Sequence, residues 1–565
     1  MPIEEKSILQ HIYDNEKSKA DQVYTSQPYT SDDVRDTTWG EFMQEARKMA
    51  SYLQSLGFEP GSRIGMISKN CDKFICAEVA IWMAGYTTVA IFPNTNESTV
   101  NYCLTDAEVK ALFVGKLDDY ETLEPGFPAD IPKIAFPLAP AAARDSFDHW
   151  EDIIAKSEPL EGEPDRARED FALFIYTSGS TGKPKGVVHD FGHIQDAVHG
   201  ILNSLSTFIT RDTRILSYLP LAHVFERCYV GMTSLTMGFH VFFAETIKTF
   251  KDDLVRAQPT VFISVPRLWV KFQQGVFQKF SPGKLKVLFS IPGVSAVIKG
   301  AIRKALGLNQ VKLAGSGSAP LPAELLSWYQ KIGLNLYEGY AMSEDFAYSH
   351  LSQKGSSKPG YVGKPYPGVD VRIDPETQEI LIKSLGRMVE YWKLPEKTAE
   401  SFTEDGYFKT GDRGLREADG MLKITGRLKE LFKTSKGKYV SPAPIENLLN
   451  EDPLVELSLV GGASMPQPYC QIVIAEDVRI KLQKNPDDAG LKKMISDKIS
   501  SLLDKVNGQI EHHEQMKFAV IATSEWTTEN QKLTPTLKIK RGTIEDEAQP
   551  KLDGWYEAGE KIIFD

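Results

Sequence analysis

Tyr176–His189 reads YTSGSTGKPKGVVH and follows directly on the apolar run Phe171–Tyr176. Bulky side chains give way there to four hydroxyls (Thr177, Ser178, Ser180, Thr181), three glycines (Gly179, Gly182, Gly186) and two lysines (Lys183, Lys185). Glycines let backbone N–H groups approach an anion closely, hydroxyls donate to phosphate oxygens, and lysines supply charge. A Walker A loop would need four residues between its first Gly and its Gly-Lys, then Ser or Thr as magnesium ligand. Here only Ser180 and Thr181 separate Gly179 from Gly182-Lys183, and Pro184 follows. The stretch is therefore a strand running into a phosphate loop of another kind, with a flexible surface turn as its plain alternative.

Outward from this loop the chain alternates helical and strand patterns, as wound α/β layers do. Phe42, Ala46, Met49, Leu53 and Leu56 recur at three-to-four spacing behind Thr38, which predicts a helix over Trp39–Leu56. Strand Arg63–Ser68, helix Asp72–Ala84, strand Thr88–Phe92, helix Glu97–Leu104 and strand Lys110–Gly115 repeat the unit. Glu121–Arg168, rich in Pro, Ala and acids, reads as a long irregular connection or a small excursion. Beyond the loop come a helix from Gly192, strands near Arg214–Leu219, Thr260–Ser264 and Val311–Gly315, and helix Pro322–Ile332. From Gly360 short runs such as VDVRI and EILIKS predict a β-rich subdomain. The expected architecture is α/β: a large N-terminal domain, 1–426, and a smaller, mobile α+β domain, 427–565.

At 565 residues the chain exceeds a single compact core. Its net charge of −11 argues against generic nucleic-acid binding. Five scattered cysteines without a CxxC pair fit a reducing, cytoplasmic setting. The opening MPIEEKSILQ is acidic, unlike a secretory leader, and the most apolar stretch, Val79–Pro93, is shorter than a membrane span needs. One region departs from the acidic average. Between Asp253 and Glu324 there is no acid, while the stretch 256–312 carries Arg256, Arg267, Lys271, Lys279, Lys284, Lys286, Lys299, Arg303, Lys304 and Lys312 among aromatic residues. Such a run is a candidate peripheral contact with anionic membrane at its inner surface, or a solvated helix pair.

Three later strings settle the reading of the loop: YEGYAMSE at Tyr337–Glu344, GYFKTGDRG at Gly406–Gly414 and GRLKE at Gly426–Glu430. With LTPTLKIKR at Leu533–Arg541 they resemble the acyl-adenylate-forming superfamily, from about Thr38 to the C-terminus. Together with LPLAHVFER at Leu219–Arg227, they look most like long-chain fatty acyl-CoA synthetases.

That resemblance implies ATP, Mg²⁺ and CoA, with a fatty acid as substrate. A carboxylate would attack the α-phosphate of ATP to give acyl-AMP and pyrophosphate, and a thiolate would then displace AMP. Joining an anion to a triphosphate asks for charge neutralisation and alignment above all. By the same resemblance, Thr177, Ser178, Gly179, Ser180, Thr181, Gly182, Lys183 and Lys185 grip the phosphates, and Thr181 and Glu344 hold the metal. Gly315, Ser316, Gly317, Ser318, Ala319 and Pro320 pack on adenine, with Glu338, Gly339, Tyr340, Ala341 and Ser343 beside the nucleotide. Asp412 accepts the ribose hydroxyls, Arg427 contacts ribose or phosphate, and Lys538 bridges carboxylate and α-phosphate. Lys538, Glu344, Thr181 and Lys185 are thus the expected catalytic set. His223, Trp269, Gly339 and Tyr340 flank the acyl channel. Lys429 is the hinge of a C-terminal domain rotation, and Lys436, Gly437 and Lys438 face the incoming thiol.

The chain also departs from the family. Ala341 stands where a glycine is usual, Ser343 where a threonine is, Glu390 where a glycine is common, and KGKY at Lys436–Tyr439 where GGEN is frequent. Two further readings stay open: an acyl-AMP ligase loading a separate carrier protein, and a non-catalytic nucleotide- or acyl-binding protein. The short stretch after Arg541 leaves no expected room for a carrier segment of its own. Lys538 argues against the binding-only reading, which has little use for it. The histidines His189, His193 and His199 lack the acidic partner that a metal-binding HExxH string would supply.

Overall fold

The computed structural model describes residues 3–177, 183–352, 358–534 and 537–565. Its largest sheet is built by the repeating units that the alternation predicts. Strands lie in the order Glu390–Tyr391, Lys185–Asp190, Phe171–Thr177, Thr87–Ile91, Arg63–Ile67, Ala111–Val114, Lys133–Ala135, Asp148–His149. The five pairings from Phe171–Thr177 outward to Asp148–His149 are parallel. Helices Asp72–Met83 and Glu97–Asp106 make the crossovers that parallel neighbours require. At the other edge, Phe171–Thr177 turns back antiparallel into Lys185–Asp190, so the phosphate-loop candidate is a hairpin tip.

Helix Trp39–Ser55 shows how closely local chemistry sets these elements. Thr38 accepts from the Glu41 amide and Glu41 reaches back to the Thr38 amide, a reciprocal cap worth about 1 kcal/mol. Phe42, Met43, Ala46, Met49, Ala50 and Leu53 then turn one face into the core.

A second sheet orders Val261–Ser264, Leu313–Ser316, Leu336–Tyr340, His350–Leu351, Lys364–Pro365, and a third Arg214–Ser217, His240–Phe243, Val23–Pro28, Val34–Thr38. The β-rich part is a four-stranded antiparallel sheet, Asp370–Ile373, Glu379–Lys383, Phe408–Arg416 and Leu422–Arg427. After the turn Leu428–Glu430 the chain builds a separate core on Val455–Gly461, Tyr469–Ile474, Ala519–Ala522 and Ile562–Phe564. At the junction Gly426 has φ 144°, and a Cβ there would lie 2.3 Å from Ser441 Oγ, so this position needs glycine.

Of the two readings of Glu121–Arg168, an irregular connection or a small excursion, the segment is not irregular throughout. It holds helices Tyr120–Leu123, Ala141–Ser146 and Trp150–Lys156, and the two strands that extend the large sheet. Those strands are two or three residues long, too short to show a period. Among the described residues no helix is long and apolar enough to cross a membrane.

One ion pair is almost fully buried. Arg227 and Glu78, each 1% exposed, form an ion pair, and Arg227 Nε also donates to the Leu221 carbonyl at 2.7 Å. Beside it Glu226 accepts from Ser217 Oγ at 2.8 Å and from the Tyr218 amide at 2.9 Å, and burial pushes its carboxyl up to about 8.

Burial lowers His189, His199 and His240 from an ordinary 6.5 to about 4. His199 also meets His11, Nε2 to Nε2, at 3.2 Å, with Asp196 and Arg168 nearby. The unfolded chain therefore binds more protons between those values, and the stability present above about pH 6.5 is lost as pH falls towards about 4. The melting temperature is expected to fall across that window, and His199→Gln to flatten part of the fall in thermal melts. Parallel pH profiles for both proteins would count against this account.

Candidate functional site

The hairpin tip closes with Thr177 opposite Lys185 and Tyr176 opposite Gly186. Ser178, Gly179, Ser180, Thr181 and Gly182 lie outside the described residues. Lys183 Nζ sits 5.0 Å from the ring centre of Tyr102, and Lys185 Nζ 4.9 Å from that of Tyr391. Desolvation, then the like charges of Lys397 and Lys429, lower the Lys185 ammonium, while Glu344 opposes the shift.

Glu344 rides a single 3₁₀ turn, Ser343–Asp345, directly after strand Leu336–Tyr340. Three groups fix this turn. The Tyr391 hydroxyl donates to Glu344 Oε1 at 2.7 Å, the Met388 amide donates to the Glu344 carbonyl at 2.7 Å, and His189 Nε2 donates to the Ser343 carbonyl at 2.8 Å. A partner carbonyl at Nε2 fixes the neutral His189 tautomer with its proton there. Asp345 Oδ1 accepts the Met342 amide at 3.0 Å, and burial pushes this carboxyl up to about 8. Glu344 itself is half-buried and keeps its second oxygen free of partners among the described residues.

Gly315 and Ser316 end strand Leu313–Ser316, and Ser318 adopts a left-handed φ of 69°. Gly317 is buried, while Ser318, Ala319 and Pro320 are exposed. Glu338 Oε1 accepts the Leu321 amide at 3.0 Å, which ties this loop to the neighbouring strand; burial pushes Glu338 up to about 7. Gly339 and Tyr340 are half-buried, Ala341 is exposed and Ser343 is buried.

Asp412 is buried and opposite Arg427 in the sheet. Arg427 Nε reaches Asp412 Oδ1 at 2.8 Å and the Tyr340 hydroxyl donates to Oδ2 at 2.8 Å. The Asp412 charge, first among several, raises the Arg427 guanidinium further.

Lys538 comes from the C-terminal core on a hairpin closed by the bridge Leu533 to Ile539. The Thr534 amide donates to the Lys538 carbonyl at 2.7 Å, and Leu537 turns through φ 60°. Lys538 is solvent-exposed by area but stands in a cleft crowded by protein. Desolvation and the Arg427 charge lower its ammonium, while Asp412, Glu344 and Glu430 pull the other way. Its charge also reaches His223, which burial lowers to about 3. Arg267 and Glu456 form an ion pair between the two cores, and Arg479 Nη1 joins Glu456 at 2.8 Å.

Lys185, Glu344, Asp412, Arg427, Lys538 and His223 thus share one electrostatic neighbourhood. Trp269 sits in an aromatic cluster of its own. Fully buried, it packs against Phe262, Phe272 and Tyr329, and its carbonyl accepts the Tyr329 hydroxyl at 2.6 Å. Lys429 is exposed in the turn Leu428–Glu430. Lys436, Gly437 and Lys438 form an exposed turn between Phe432–Lys433 and Tyr439–Val440.

A family described as AMP-binding enzyme matches residues 15–392, and its C-terminal domain matches 430–560. The chain belongs to the AMP-binding enzyme family. It is 31% identical over 558 residues to the long-chain-fatty-acid–CoA ligase FadD15 of Mycobacterium bovis, with 92% of each chain covered. It is 27% identical over 617 residues to long chain acyl-CoA synthetase 2 of Arabidopsis thaliana, covering 98% of this chain and 91% of that one. In fold it is similar to the A domain of carboxylic acid reductase from Segniliparus rugosus, solved with AMP and a co-purified carboxylic acid. The TM-score is 0.79 at 21% identity, covering 98% of this chain and 94% of that one. Asp412 and Arg427 of this AMP-binding enzyme fall between the two matched segments.

Sequence reasoning missed Tyr391 and His189, which hold the Glu344 turn. The string SLGRMVEYW drew attention only to Glu390, which pairs with Val188 at the sheet edge. Tyr391→Phe removes the hydroxyl on Glu344 and keeps the ring under Lys185. Carboxylate-dependent ATP–pyrophosphate exchange is expected to fall about tenfold, the scale of a lost outer support, with an unchanged melting temperature. Full exchange activity in this variant would remove Tyr391 from the site.

Proposed function

We propose that this AMP-binding enzyme is an ATP-dependent acyl-CoA synthetase that activates a long-chain fatty acid as acyl-AMP and passes the acyl group to CoA. It is a ligase, of the class that forms a carbon–sulfur bond. The observation that carries the reading is Lys538 standing among Arg427, Asp412 and Glu344. A binding protein has no need to bring an ammonium from a second core into a nucleotide cleft.

In the first half-reaction a carboxylate oxygen attacks the α-phosphorus, a new P–O bond forms, and the bond to the β-phosphate breaks. Lys538 would hold the approaching carboxylate and the α-phosphate together, and Arg427 would share the charge of the phosphate or ribose. Asp412 would exchange its contacts to Tyr340 and Arg427 for the ribose hydroxyls. Lys183 and Lys185, with the loop residues between Thr177 and Lys183, would grip the β- and γ-phosphates. The Glu344 carboxylate, with one oxygen held by Tyr391 and the other free among the described residues, suits a hard cation. Bound there with Thr181, Mg²⁺ would offset charge on the departing pyrophosphate.

In the second half-reaction the thiolate attacks the acyl carbon, the acyl C–O bond breaks and AMP leaves. The C-terminal core would turn about Lys429 to withdraw Lys538 and bring Lys436, Gly437 and Lys438 towards the phosphates of CoA. His223 would line the acyl channel, and Trp269 would bound it from within its aromatic cluster.

Lys538→Ala is expected to lower acyl-AMP formation by about 10²–10³-fold, as loss of a charge-stabilising donor does. Thioester formation from supplied acyl-AMP and CoA should change little. Loss of both half-reactions to the same extent would overturn this division. With ATP, CoA and a chain-length series of fatty acids, AMP and thioester should appear together and most with long chains; adenylate without thioester would point to another acceptor.

A further inference from the structure

Helices Pro282–Ser290 and Val294–Ala305 pack on each other through a three-residue turn, Ile291-Pro292-Gly293, and stand out from the molecule. Each has a single buried residue, Leu285 and Ile302. Of the thirteen large apolar residues exposed among the described ones, five fall here: Phe280, Val287, Ile291, Val294 and Val297. Val287 is 61% and Val297 70% exposed, so these side chains are not edges of the core.

The charges sort in the same place. Residues 280–305 hold five basic and no acidic side chains in a chain of net charge −11. Among the described residues none of Lys284, Lys286, Lys299, Arg303 and Lys304 is in an ion pair. Lys299 lies over the Phe289 ring at 5.3 Å, and Arg303 donates to the Gly333 carbonyl at 3.2 Å. By contrast Arg256 is engaged with Asp253 and Arg267 with Glu456. Lys271, Lys279 and Lys312 are likewise in no ion pair among the described residues, but within 256–312 the exposed large apolar residues all lie in this hairpin.

We propose that the hairpin 280–305 docks on an anionic lipid bilayer, with Val287, Ile291, Val294 and Val297 at the headgroup–acyl boundary and the lysines on lipid phosphates. Apolar tips flanked by free cations suit that interface, where the side chains leave water and the ammonium groups keep it. A second copy of this chain is the poorer occupant, because a two-fold contact would set the same five cations against themselves. Each cation near the surface is worth about fivefold in partition, and each buried valine about tenfold.

The test is co-sedimentation of the full chain with vesicles of phosphatidylcholine alone and of phosphatidylcholine with phosphatidylglycerol. The wild type should pellet with the anionic vesicles and much less with the neutral ones, and salt should weaken the binding. Lys284→Glu/Lys286→Glu should weaken it by at least about 25-fold, and Val287→Ser/Val297→Ser by at least tenfold, with thermal melts unchanged in both. Equal binding to both vesicle types, or binding that survives both pairs, overturns the proposal. So does a wild-type dimer in size-exclusion chromatography that Val287→Ser/Val297→Ser disperses while no vesicle binding is seen.

Discussion

The constraint on which the site depends is an excess of positive charge in one cleft. Lys185, Arg427 and Lys538 arrive from three different elements, with Lys397 and Lys429 beside Lys185, and Glu344, Asp412 and Glu430 face them as acids. Desolvation and like-charge repulsion lower both lysines, so their neighbourhood works against the charged form when nothing else is bound. A polyanion reverses that balance. On the proposed reading the cluster is an arrangement of fixed charges suited to phosphate oxygens, which would cost no reorganisation when negative charge moves during reaction. Such a cluster does not stabilise the fold. It persists because hairpins and sheet registers hold it on every side.

Each member is held by a different device. Lys185 is the last register position of an antiparallel pair, Arg427 faces Asp412 across neighbouring strands, and Glu344 rides a turn pinned by Tyr391, Met388 and His189. Lys538 alone comes from the second core, on a hairpin tightened by the left-handed Leu537. The contact between the cores near Arg267 and Glu456 is polar, and Gly426 at the junction is a position where the backbone accepts what other residues resist. A polar contact of this kind is like an interface between domains rather than the inside of one core.

Much of this was legible from residues because local chemistry and global fold agree. Helix Trp39–Ser55 needed only its cap and its spacing, and the strands Arg63–Ile67 and Thr87–Ile91 only their apolar runs between turns. The short strings around Glu344, Asp412, Arg427 and Lys538 named residues that the structure gathers. What stayed hidden depends on contacts between distant segments. Tyr391 reaches Glu344 across 47 positions, and His189 reaches Ser343 across 154. The strands Lys133–Ala135 and Asp148–His149 escaped because two or three residues carry no period; the sheet edge makes them strands. Trp269 shows the opposite limit, since a string can flag an aromatic without saying how deeply it is buried.

LPLAHVFER shows how one string serves two ends. His223 feels the charge of Lys538, while Glu226 and Arg227, three and four residues on, are buried in the core. A buried guanidinium without its partner would cost several kcal/mol, so Arg227 requires Glu78 from the helix Asp72–Met83. Glu226 likewise ties Ser217 and Tyr218 at the end of the strand Arg214–Ser217. The wall that carries His223 is therefore fastened to two layers of the fold by groups that never meet a substrate. Glu338 does the same for the loop Gly317–Leu321, and His189 for the Glu344 turn. In each case a buried polar side chain spends its hydrogen bond on the backbone of a site loop. The loop is positioned because leaving that buried group unpaired would be costlier than holding the loop still.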